Sequence, residues 1–513
     1  MNTELPQRTD TTGAEEKLSA EAKPVPNWKQ RVRRLLWPLH ARFPSIIPNP
    51  IYSDKDYYCE RDAEDNVKTA LDKDVSLKLG CILVSEVFGP KEIEALHDGL
   101  KNIGWDRERM LGGEDSNVDW LKEQRLYGTE GTMPLGWVHR LEDLKKYVGI
   151  RYTAQFPKEF SSLLVNIAQL TPSVTCLSVG FILTEESSLE YANEINRAAQ
   201  TTVVPKRRHR PYSIMSVAHV KEKRVRRVRQ KYRNLGILWL SKSFPGFFSE
   251  NCENRNFPTA EFLLLEGFTP FDEEAHRNRG WQHWSRFVNI DYDFGSWTCA
   301  SVPSLKFSFD SGYRNKNPNH MTIALRWDTL SDDDTKFYGS DSIGSRTYFA
   351  NDRLNGIISR YALASYLREL LRSLKETRQS LTVRSKVRHS SIEVEKISEF
   401  FRRSVGVPSI AREVLALSEN DVSFRWNSMG FNRKMRPDKE STYDIKEGLK
   451  SILRRLSQQL LEEDQDTREY LNQLSSAIGT KESIAAQRRM EIITRAALVV
   501  SLISLVVAAL AAL

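Results

Sequence analysis

Between Lys206 and Arg233 the chain holds twelve lysines and arginines against one acid, Glu222. This stretch, KRRHRPYSIMSVAHVKEKRVRRVRQKYR, carries a formal charge of +11, whereas the whole 513-residue chain carries +8. The remainder is slightly acidic, so the basic character belongs to one segment. Cations at that density set up a potential that attracts phosphate-bearing partners. The residues singled out for anion or phosphate binding are Lys206, Arg207, Arg208, Arg210, Arg224, Arg226, Arg227 and Arg229. Three partners suit this chemistry: anionic lipid headgroups, nucleic acid or a nucleotide held through counterion release, and an acidic protein. Lipid ranks ahead of nucleic acid. The competing reading is structural. Residues 221–233 place Val225, Val228 and Tyr232 on one helical stripe, so the segment also reads as a solvated loop and a helix that packs by that stripe.

Other groups carry weaker chemistry. Trp281, Trp284, Phe287, Tyr292, Phe294 and Trp297 lie beside Arg277, Arg279 and Arg286, and rings between cations can stack nucleobases. A strand expected over 287–292 makes most of these rings core. Asp332, Asp333, Asp334 and Asp341 offer oxygen ligands for a hard cation, but the calcium-loop spacing is missing and a solvated loop is the preferred reading. The nine histidines form no HxH or HExxH pair, and Gly280 interrupts the helix that would bring His276 and His283 together. No phosphate-loop, dinucleotide-fold or nucleophile-elbow motif occurs, so no catalytic residue, metal or cofactor is assigned. The five cysteines are all at least 22 residues apart, which excludes CxxC motifs and fits reduced thiols.

The elements that must position these residues are read from periodicity. Strands are expected over 79–88, 174–184, 236–241, 260–266, 287–292, 304–309 and 321–327, and helices over 90–103, 160–170 and 187–199. Gly104 is expected to stop the first helix. Beyond residue 354 strand signals cease. Ile357, Tyr361, Ala364, Leu367, Leu371 and Leu374 keep helical spacing over 354–379, a second helix is expected over 391–405, and Ser409 is expected to cap a third. From about Tyr443, Ile445, Leu449, Ile452, Leu456 and Leu460 predict a stalk helix, with Gly479 and Thr480 ending it before a new helix starts.

That last helix ends on AALVVSLISLVVAALAAL, residues 496–513, with no charge and only Ser501 and Ser504 polar. At helical rise this run covers about 27 Å, close to a bilayer core. Arg488, Arg489 and Arg495 precede it, which places residues 1–495 on the cytoplasmic side. The alternative is a buried C-terminal helix of the core. Ala497, Ser501, Ser504, Ala508 and Ala511 form a stripe of small residues that predicts a homo-oligomer through the tail. The polar N-terminus carries no secretory signal.

The fold class expected is an α+β cytoplasmic body, a helical stalk region and one C-terminal transmembrane helix. Its divisions are a disordered 1–27, a body over 28–353 with a split near 200, a helical region over 354–479, and a juxtamembrane and membrane part over 480–513. The function expected is a membrane-tethered cytoplasmic sensor or scaffold that binds an anionic partner through 206–233. Two alternatives stand beside it: a membrane-localised enzyme acting on a nucleotide or phosphorylated substrate with acids such as Glu273 or Asp291, and a membrane-perturbing effector.

Overall fold

A computed structural model describes residues 36, 39–40, 43, 46–47, 57–107, 115–128, 130–145, 151–205, 212–251, 256–272, 283–293, 295–309, 319–331, 338, 342–384, 404–420, 422, 430–434 and 442–512. The described chain is a mixed α/β sheet body with helices and one C-terminal helix long and apolar enough to cross a membrane. It divides into two compact units: residues 1–70 with 194–224, and residues 71–193 with 225–513.

The second unit is built on β1 (Ser76–Phe88), β2 (Gly131–Arg140), β3 (Tyr152–Ala154), β4 (Phe160–Thr171) and β5 (Val174–Leu183). The first unit contributes the hairpin β6 (Thr202–Pro205) and β7 (Tyr212–Met215). The second unit continues with β8 (Thr259–Glu266), β9 (Trp297–Cys299), β10 (Leu305–Phe309), β11 (His320–Arg326), β12 (Phe431–Lys434) and β13 (Thr442–Asp444). Eleven of these form one sheet in the order β13-β12-β9-β10-β11-β8-β1-β5-β4-β2-β3. Among the described residues only β8–β11 and β2–β3 pair in parallel. β1, β4, β5 and β8 are buried along nearly their whole length, so they read as continuous apolar runs rather than alternating ones.

Two helices cover this sheet. The second unit's part of helix Val217–Ser243, from Val225 on, lies on one face, where a Cβ on Gly236 would come within 3.0 Å of the Phe181 ring and 3.2 Å of Val84. A larger residue here would make Phe181 and Val84 give by a few tenths of an ångström. Helix Ile343–Arg384 packs against β1, β4 and β5 on the other face, toward which Asn166 and Leu164 point. Helix Val407–Glu419 clips onto the β4–β5 turn: Ser173 donates from its amide (2.8 Å) and its hydroxyl (2.6 Å) to the Glu413 carboxylate. Helix Ile445–Ala512 packs against both of these helices through Leu449, Leu453, Leu456, Leu460 and Leu471. From Ser475 to Ala508 every described side chain on it is exposed.

Several expectations are corrected. Residues 160–170 form strand β4, not a helix: an unbroken apolar run reads alike for a buried strand and a buried helix, and the two-residue turn to β5 decides. Residues 236–241 continue helix Val217–Ser243, because Tyr232, Ile237, Leu240 and Phe244 keep a buried stripe at helical spacing. Residues 287–292 are no strand; helix His283–Phe287 ends there and Asn289 turns with φ 59°. The 187–199 helix is two short ones, Glu185–Ser188 and Glu190–Asn196. Ser409 lies inside a helix that starts at Val407, with Pro408 in its first turn where a missing amide costs nothing. Gly479 breaks nothing, since Ile445–Ala512 is continuous. Gly104 does stop its helix, in the left-handed conformation at φ 79°. Most of 391–405 lies outside the described residues.

At the edge of the sheet's helical cover a buried carboxylate fastens one connection. Glu86 on β1 accepts from the Phe248 amide (2.8 Å), the Ser249 amide (3.0 Å), the Ser249 hydroxyl (2.6 Å) and the Val87 amide (3.0 Å). Burial pushes its carboxyl up from 4.5 to about 7, with those donors pulling the other way. The folded state therefore binds the proton more tightly than the unfolded chain, so the contribution is fully present below 4.5 and is lost as pH rises through about 7. Denaturation of the wild type should show a loss on the order of 3 kcal/mol across that window. Glu86→Gln should flatten it; an unchanged slope in the variant would remove Glu86 as its source.

Candidate functional site

The basic segment falls into three environments. Lys206, Arg207, Arg208 and Arg210 join β6 to β7 and lie outside the described residues. In the first unit, helix Tyr57–Lys68 is sewn to the 199–201 segment by Asn66, whose amide group exchanges hydrogen bonds with the Ala199 backbone. The Asp62 carboxylate accepts from the Thr201 amide (2.7 Å) and hydroxyl (2.6 Å). Lys221 is buried beside this seam, and burial followed by the neighbouring Arg224 charge brings its amine down to about 8. Arg224 donates to the Arg197 and Ala198 carbonyls and stands 3.9 Å from Glu194.

In the second unit Arg229 is buried, and its guanidinium meets Glu261 in a two-pronged pair at 2.7 and 2.6 Å. Glu261 also accepts from the Tyr191 hydroxyl at 2.8 Å, and His320 Nε2 stands 3.8 Å away. Burial alone would raise the Glu261 carboxyl; the Arg229 charge overrides it and holds the carboxyl at about 2. Arg233, next along the helix, is lowered to about 10 by burial and by Arg229. Lys231 pairs with Glu190 at 2.8 Å. Arg226 is half-buried and Arg227 is exposed. The helix thus spends Arg224 and Arg229 on internal contacts and turns Arg227 outward. Val225, Val228 and Tyr232 are buried together, as the stripe requires.

A different place in the second unit gathers polar groups around open space. A cavity of about 720 Å³ lies between the middle of β2 and β4, the end of β9 and the first turns of helix Ile343–Arg384. Asn166, 4 % exposed, projects from β4, and its Oδ1 has no hydrogen-bond partner. Asn351 and Asn355 are one helical turn apart and line the opposite wall. Asp352 accepts from the Tyr338 hydroxyl at 3.0 Å, and Arg353 donates to the same oxygen at 3.3 Å. The Tyr338 and Tyr348 rings meet edge to face, with centroids 5.6 Å apart.

Sequence reasoning passed over this cavity. Its one local signal is Asn166, a carboxamide in the middle of the apolar run SSLLVNIAQL; the other lining groups converge only through long-range pairing. Of the aromatic group, Trp284, Phe287 and Trp297 are buried, while Trp281 and Phe294 lie outside the described residues. The aspartates 332, 333, 334 and 341 also lie outside them, as do His276 and Glu273. Asp291 is half-buried, 3.8 Å from Arg286. Among the described residues no group of three or more His, Cys, Asp or Glu side chains could hold a metal ion. Cys81, Cys176 and Cys299 are buried free thiols, and burial pushes the Cys176 thiol up to about 12.

The buried pair gives a stability test. Arg229→Met or Glu261→Gln should each cost roughly 3–5 kcal/mol, because either leaves a buried charge without its partner. The double replacement Arg229→Met with Glu261→Leu should cost much less than the sum. Denaturant titration of the three variants checks this; additive losses would mean that the two side chains act independently. Compared with protein-family models, with curated proteins and with solved structures, the chain matches none.

Proposed function

We propose that this chain is a membrane-tethered, non-enzymatic sensor or scaffold, with its body in the cytoplasm and an anionic partner met through the basic segment. The observation that carries the reading is the apolar run from Ala496 to Ala508, which ends the candidate span Ser483–Ala508. That span has a mean hydropathy of 2.0 in its most apolar window, and none of that window is buried. Leu498, Val499, Val500, Leu502, Ile503, Leu505, Val506 and Val507 are all more than half exposed. An apolar surface this continuous is unfavourable in water and natural in hydrocarbon. The same observation disfavours a buried core helix. The helix backbone satisfies its own amides, and the Ser504 hydroxyl donates to the Val500 carbonyl at 2.9 Å, which answers that donor within the helix.

The unbroken helix before it serves as the stalk. Arg488, Arg489 and Arg495 flank the apolar stretch on the side of the body, which supports a cytoplasmic body. The anionic partner we favour is the headgroup layer of the same membrane, because tethering keeps the basic segment near that surface at all times. Arg227 and the cations at 206–210 are its contacts; Arg224 and Arg229 serve the fold. Lateral association through Ser501, Ser504 and the neighbouring alanines completes the scaffold.

Two experiments test this. A chain ended at Met490 should be soluble, whereas the full chain should resist carbonate extraction; equal partitioning of the two would overturn the anchor. The soluble form should bind vesicles containing phosphatidylserine. Replacing Lys206, Arg207, Arg208, Arg210 and Arg227 with Gln should weaken that binding by about tenfold or more, with a steep dependence on salt. Binding to RNA but not to vesicles would move the partner to nucleic acid.

A further inference from the structure

We infer that the cavity between β2, β4, β9 and helix Ile343–Arg384 is a binding site for a neutral, flat heterocycle of the nucleobase or nucleoside class. Its volume of about 720 Å³ falls in the range of small-molecule sites. The lining is balanced in charge, with one carboxylate, Asp352, and one guanidinium, Arg353, both engaged with the Tyr338 hydroxyl. Such a lining offers nothing to offset the charges of a polyphosphate.

What it offers instead is carboxamides. Asn166, Asn351 and Asn355 each carry a donor and an acceptor side by side. A nucleobase edge presents the complementary pair, as when asparagine bonds adenine through two atoms. Asn166 is the telling residue. It stands in an otherwise apolar part of β4, is 4 % exposed, and its Oδ1 has no partner within the protein. A buried acceptor left unmade destabilises the fold, so its presence calls for a partner that arrives from outside. Rotation about the last side-chain torsion brings either end of the carboxamide to the cavity. The tyrosine rings of residues 338 and 348 supply aromatic surface against which a base can lie. This site is independent of the basic segment and of the anchor.

The test uses the full chain in detergent micelles, with adenosine, guanosine, cytidine and uridine as probes in calorimetric titration and thermal unfolding. At least one nucleoside should bind saturably at one per chain with a Kd below about 1 mM and raise Tm. Asn355→Ala should weaken that binding about tenfold. Asn166→Leu should abolish it while raising the ligand-free Tm, because it removes the unpaired acceptor from an apolar strand; a purely structural asparagine would give a lower Tm instead. Absence of saturable binding by all four probes would overturn the proposal. So would tighter binding of ATP than of adenosine, equal binding of maltose, or nucleoside binding unchanged in both variants.

Discussion

A sheet whose central strands are apolar on both faces must be covered on both faces, and the placement of the other elements follows from that constraint. The part of helix Val217–Ser243 beyond Arg224 seals one side by setting Gly236 against Phe181 and Val84. It can do so only by carrying its charges somewhere. Arg229 therefore reaches inward to Glu261, the one acid facing it from β8, while Arg227 turns outward. The ion pair adds little net stability over an apolar pair of the same shape, but it fixes where the helix sits along the strands, since any slip would strand a buried charge. On the other side helix Ile343–Arg384 seals β1, β4 and β5 along most of its contact. Where its first turns meet β4, the cover opens into the cavity and an asparagine replaces an apolar side chain.

Two buried polar side chains, one toward each face, are satisfied differently. On the Glu261 face every strong hydrogen-bonding group of the carboxylate is answered within the protein by Arg229 and Tyr191. On the other face the Asn166 acceptor is left unanswered, in a side chain that lines the cavity. Glu86 shows the first arrangement at its most complete, with four donors around one buried carboxylate.

The sequence makes β1, β5, β8, β10 and β11 legible, because each is a short apolar run between turn residues. It also reveals the amphipathic helices and the apolar tail. It misleads at 160–170 and 236–241, where apolar runs lack a period that separates strand from helix. In the first, pairing with β5 wins; in the second, continuity with the basic helix wins. At Gly479 the weak local penalty of one glycine is outweighed by long helical runs on both sides. Charge counting located the basic segment but could not separate Arg229, which is spent on Glu261, from Arg227, which is exposed; that difference rests on strands far along the chain. The cavity was invisible for the same reason, as its three asparagines come from β4 and from a helix almost two hundred residues later.

A membrane-tethered chain must hold the end of helix Ile445–Ala512 in a bilayer. Hydrogen exchange followed by mass spectrometry, on the full chain reconstituted in phospholipid bilayers, tests it without altering a residue. Amides of residues 496–508 should remain unexchanged for hours, because hydrocarbon excludes water, while those of 475–482 exchange at the rate of a helix in solvent. Equal and rapid exchange in both stretches would contradict a membrane-tethered chain.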